Sequence, residues 1–163
     1  MKTSGTETRS GVSDEIVLYQ GEAAKKSHRN LFTLDAACYR NAGNDMVRTI
    51  LSVDLKVVCR LHIAAGWETT VGIALWTSGT PPVHDVLALL RKAGVTDEEL
   101  LPFVEADVRD FFPWLYYGNR SDVLRKICNI AKAKVEEKLA KKKLFVYCHL
   151  VSDEEEKIIA SNL

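Results

Sequence analysis

The sequence predicts a single α+β domain in which an antiparallel sheet, built from a long strand and a hairpin, packs against several helices. Three observations predict it: apolar and polar residues alternate with period two from Val47 to Ile63, apolar residues recur at helical spacing after the break at Ser78-Gly79-Thr80-Pro81-Pro82, and a long amphipathic segment runs from Ser121 to Lys143. The 163 residues, 47% hydrophobic and 27% charged, suffice for one core and are too apolar for a disordered chain.

Met1 to Asp14, rich in Ser, Thr and Gly, reads as a flexible polar arm, which leaves residues 15–163 as the domain. Glu15 to Tyr19 reads as a short strand, Gly21 to Asn30 as an exposed loop or short helix, and Leu31 to Arg40 as a strand followed by the turn Asn41-Ala42-Gly43-Asn44. In the long run, Val47, Leu51, Val53, Leu55, Val57, Cys59, Leu61 and Ile63 share one parity, with Arg48, Ser52, Asp54, Lys56, Arg60 and His62 between them. Successive side chains on a strand point to opposite faces, so this parity predicts a half-buried strand. Thr69 to Thr77 alternates through Val71, Ile73 and Leu75 and would close a hairpin around Ala64-Ala65-Gly66-Trp67.

Helices are expected from Val83 to Ala93, ended by Gly94, and from Thr96, an N-cap followed by three carboxylates. Ser121 caps the longest helix, whose stripe Leu124, Ile127, Ala131, Val135 and Leu139 must face the core. Leu144 to Val151 then returns as a strand, and Ser152-Asp153-Glu154-Glu155 resembles the cap of a final helix.

The charges balance at 22 basic and 22 acidic, so no global attraction to polyanions exists. Locally, Arg120 to Lys143 carries nine basic residues against three acidic. The candidate polyanion face is Arg125, Lys126, Lys132, Lys134, Lys138, Lys141, Lys142 and Lys143, suited to nucleic acid or an anionic membrane surface. A second candidate, for protein partners or self-association, is the aromatic stretch Phe111, Phe112, Trp114, Tyr116 and Tyr117.

The four cysteines, Cys38, Cys59, Cys128 and Cys148, are widely spaced and read as reduced core thiols. Cys59 with His62 and Cys148 with His149 are the nearest pairs of metal-ligating type, but residues one or three apart on a strand face opposite sides. No metal, cofactor or catalytic residue is therefore expected, although Cys148 or Cys59 with His84 leaves a cysteine-nucleophile enzyme as an alternative. No signal-peptide pattern and no apolar run long enough to span a bilayer is present, so an intracellular, cytoplasmic location is expected, membrane-apposed or virion-associated at most.

The passage of strand Val71 to Thr77 through Thr80-Pro81-Pro82 into helix Val83 to Ala93 resembles a segment of rhabdovirus matrix proteins, as does the order of polar arm, strands, helices and late strand. The resemblance implies a non-enzymatic viral structural protein that self-associates and lies against a membrane. The arm is not strongly basic and no PPxY-type motif is present, so no functional residue carries over. The expected function is assembly or adaptor work through partner binding, with a nucleic-acid-binding accessory role and the cysteine enzyme as alternatives.

Overall fold

The run Ile16-Val17-Leu18-Tyr19 is apolar without interruption, which suits a strand buried on both faces, and in the computed structural model it forms β1 (Glu15–Tyr19) at the interior of the sheet. Residues 13–162 are described; the expected arm at Met1 to Asp14 lies outside them except for Ser13 and Asp14. Ile16 and Leu18 face the larger core, whereas Val17 and Tyr19 face a smaller one across the sheet.

Helix α1 (Glu22–Phe32) follows, then a 3-10 turn at Ala36–Cys38, β2 (Tyr39–Asn41), α2 (Met46–Leu51), β3 (Arg60–Ala65) and α3 (Trp67–Leu75). Next come α4 (Val83–Lys92), α5 (Asp97–Leu100), α6 (Phe111–Tyr117) and α7 (Ser121–Leu139), and β4 (Phe145–Ser152) and β5 (Lys157–Ser161) close the chain. The strand order is β2-β1-β3-β4-β5; β2, β1, β3 and β4 run parallel, and only β5 is antiparallel to its neighbour. Helices α3 and α7 cover the larger core, while α1 packs on the other face against β3, β4 and β5.

The expected α+β domain with a sheet packed against helices is present, and the sheet is mixed. Its antiparallel hairpin is not there. The segment read as one long strand divides into α2, a turn region and β3, and the partner strand at Thr69 to Thr77 is mostly α3. Two causes account for this. The Asp45 side chain accepts a hydrogen bond from the Arg48 N–H and caps α2, in which Ile50 is buried and Leu51 is 55% exposed. Helix α3 is buried nearly all round, through Trp67, Thr70, Val71, Gly72, Ile73 and Ala74, so it has no polar stripe to mark its period.

Gly21 to Asn30 belongs to α1, with Ala24, Ser27 and His28 buried on one face. Leu31 to Arg40 is not a strand, apart from the start of β2. Ser152 to Glu155 leads into β5 and not into a helix. The expected helix at Val83 to Ala93 forms, as do the Thr96 cap, reinforced by Glu99 in a capping box, and the long helix from Ser121.

Candidate metal centre

Parity along parallel strands decides what the smaller core contains. On β3, Leu61, Ile63 and Ala65 enter the larger core, so His62 and Ala64 point the other way. On β4, Val146, Cys148 and Leu150 enter the larger core, so Tyr147, His149 and Val151 point with His62. The register pairs Val17 with His62, His62 with Tyr147, and Ala64 with His149. Helix α1 lays His28 over them. The three histidines are 0%, 3% and 1% exposed for His28, His62 and His149.

Their ring nitrogens converge. His28 Nε2 lies 3.0 Å from His62 Nδ1, which lies 3.1 Å from His149 Nε2, and one nitrogen of each ring falls within 4.8 Å of the other two. A tetrahedron of Zn–N bonds has an edge of about 3.3 Å, close to both contacts. The outward nitrogens are each engaged as well: His28 Nδ1 lies 2.7 Å from Tyr39 Oη, His62 Nε2 donates to Glu15 Oε2 at 2.8 Å, and His149 Nδ1 lies 2.7 Å from Ser161 Oγ.

The direction of one proton constrains the rest. A carboxylate only accepts, so Glu15 places the proton of neutral His62 on Nε2 and leaves Nδ1 with a single in-plane lone pair. Two nitrogens approach that lone pair, and it can serve only one donor well. With every ring proton turned outward to Tyr39, Glu15 and Ser161, the three nitrogens that lie within 4.8 Å of one another would each keep a lone pair, a set that a cation satisfies and that those three hydrogen-bond partners would hold in place. Burial supports the neutral form. It pushes His28 and His149 down to about 3, helped by neighbouring histidines, and it also lowers His62, against the opposing pull of the Glu15 hydrogen bond.

The other candidate residues lie elsewhere. Phe111 is fully buried in the larger core, Phe112, Trp114 and Tyr116 are half-buried, and Tyr117 is exposed. On α7 and beyond it, Arg125, Lys126, Lys138, Lys142 and Lys143 are exposed. Lys132 pairs with Glu136 at 2.9 Å and Lys134 with Glu137 at 3.8 Å, while Lys141 donates to the Val58 carbonyl at 2.5 Å. All four cysteines are free. Burial pushes the Cys128 thiol up to about 12 and raises Cys148 well above its ordinary value, so neither is a ready nucleophile, and His84 is exposed on α4. Outside the carboxyl ends of β1, β3 and β4 lies a crevice of about 810 Å³, lined by Gln20, Gly66, Glu68, Arg109, Asp153 and Glu154 among others and by none of the three histidines.

The expectation that no residues of metal-ligating type come together is corrected by the grouping of His28, His62 and His149. Cys148 enters the larger core while His149 points to the other face, and Cys59 lies ahead of β3, outside the strand that carries His62; His62 and His149 share a face across two strands, which adjacency in sequence cannot reveal. The buried three-histidine cluster also overturns the expectation of a non-enzymatic assembly or adaptor protein. Among the described residues no helix is long and apolar enough to cross a membrane.

No protein-family model matches the chain, and no curated protein matches it. Among solved structures it is similar to the β-carbonic anhydrase CafA of the fungal pathogen Aspergillus fumigatus, with a TM-score of 0.39 and 15% identity over 96% of this chain and 79% of that one. A likeness of that size carries no functional argument. The resemblance to rhabdovirus matrix proteins is corrected, because the segment on which it rested, Val71 to Thr77, is largely helix and not strand.

Proposed function

We propose that this protein is a metal-dependent enzyme whose centre is one zinc-type ion held by His28, His62 and His149. The observation that carries the reading is the convergence of three neutral imidazoles with no fourth His, Cys, Asp or Glu atom in the same group among the described residues, Glu15 being engaged on the outer nitrogen of His62. Structural zinc sites close with four protein ligands, whereas catalytic ones keep three and leave a position for water or substrate. Bound there, the ion would supply Lewis acidity and lower the pKa of a water to about 7, chemistry suited to adding water to an electrophilic carbon or phosphorus.

The residues of the chain have separate tasks in this reading. Strands β3 and β4 hold two ligands on a rigid sheet, α1 brings the third, and Glu15, Tyr39 and Ser161 fix the ring orientations. Imidazole donors also accept copper, nickel and iron, so the ion is identified by measurement.

The test is elemental analysis of the purified full chain, followed by turnover of a small activated ester without a ring, 2,2,2-trifluoroethyl acetate. About one equivalent of metal is expected from a three-ligand site of this kind, falling sharply in His28→Ala, His62→Ala and His149→Ala, with turnover lost in parallel. A parent protein that retains no stoichiometric ion overturns the reading, and a loaded protein without turnover on any activated ester removes its enzymatic half.

A further inference from the structure

A fourth ring closes the cluster. Phe32, the last residue of α1, has its ring centroid 4.4 Å from that of His28, 5.1 Å from His62 and 5.1 Å from His149. The three imidazole centroids lie 4.7, 5.2 and 5.3 Å from one another, so the four rings form a nearly regular tetrahedron with Phe32 at its apex. Phe32 is half-buried while the histidines are buried, and its ring contacts all three imidazoles, whereas the half-buried Tyr147 packs on His62 at 4.9 Å. Its place is set by the end of the helix: Thr33 follows in the left-handed region, φ 46°, and its N–H donates to the Arg29 carbonyl.

We propose that Phe32 governs which exogenous ligand reaches the metal, admitting water and linear anions of two or three atoms and excluding planar rings; this rests on the metal reading above. The phenyl ring offers the fourth position no donor atom, and it takes up the volume that a five-membered ring approaching the ion would need. The substrate class is then a small, compact electrophile and not an extended aromatic or a polymer.

Full-length protein loaded with cobalt(II) gives a visible absorption band sensitive to the fourth ligand, and azide and imidazole serve as the two probes. Azide is expected to perturb the parent spectrum, and imidazole to bind Phe32→Ala at least about tenfold more tightly than the parent, as a difference of about 1.4 kcal/mol would give. Phe32→Leu keeps an apolar plug at the helix end and is expected to fall between them; should the alanine variant fail to fold, the leucine variant carries the comparison. Equal imidazole affinity in parent and variants, whether tight or undetectable, overturns the proposal while leaving the metal reading in place. A parent that takes up no cobalt overturns both.

Discussion

Among the described residues Glu15 is the one charged side chain that hydrogen-bonds to the histidine cluster, and its carboxylate sits at the start of β1, opposite Arg60 in the register. Its hydrogen bond turns the His62 proton outward, so the residue acts on metal through the tautomer of its neighbour and is a positioning residue. Glu15→Ala is expected to weaken metal binding by about 10- to 100-fold, and Glu15→Gln by less, since an amide oxygen still accepts from Nε2. Competition against a chromophoric chelator measures both; equal affinities across parent, Gln and Ala would exclude the role. Cysteine chemistry belongs to the same scale. At pH 8, Cys128 and Cys148 are expected to stay silent towards a thiol reagent in the native protein, with half-buried Cys59 reacting first and all four after unfolding. Burial raises Cys128 from 9.0 to about 12, so the unfolded chain gives up that proton first as pH rises. The stability it contributes is present below about pH 9 and lost towards pH 12, and urea midpoints should fall less over that window in Cys128→Ala than in the parent.

At the scale of elements, the alternation from Val47 to Ile63 and the observed α2 make opposite predictions about two adjacent residues. On the expected strand Leu51 would be buried and Ile50 would face water; in the helix Ile50 is fully buried and Leu51 is 55% exposed. Ile50→Ala should therefore cost about 2–5 kcal/mol in urea unfolding, and Leu51→Ala within about 0.5 kcal/mol. The reverse order would restore the strand. Parity misled here because Val47 and Leu51 are also four apart, a spacing that helix and strand both accept, so the Asp45 cap was the better guide. In α3 the β-branched run Thr69-Thr70-Val71 and Ile73 favours a strand by local preference, but burial on nearly every side overrides it. By contrast α4, α5 and α7 were legible, since each has a polar face or a capping residue whose physics is local. The centre was not. His62 and His149 are 87 residues apart, and only the parallel pairing of β3 with β4, a long-range event, places them side by side.

Across the whole molecule, the topology joins the site to the fold. The chain leaves β1 for the edge strand β2, returns past β1 to β3, and continues outward to β4, so ligands from α1, β3 and β4 meet only when three separate crossovers are complete. No short segment of the unfolded chain holds two of them within reach. A metal that binds the folded protein and not the unfolded one stabilises it by mass action, about 2.7 kcal/mol at a free concentration one hundred times its Kd. For a domain of this size each kcal/mol shifts Tm by about 2–4 °C, so saturating zinc should raise Tm by roughly 5–10 °C and a strong chelator should reverse the rise. The sequence alone led to the expectation of no metal, and so of no response to a chelator, because neither Cys–His pair offered a ligand set. His28→Ala sharpens the measurement. The variant loses a ligand supplied from α1 while the sheet and the larger core, where most of the burial lies, are untouched. It is expected to melt cooperatively near the metal-free parent and to show no zinc-dependent rise. If zinc raises the Tm of parent and His28→Ala equally, the stabilising ion sits elsewhere on the molecule and the three histidines are only a buried hydrogen-bonded network.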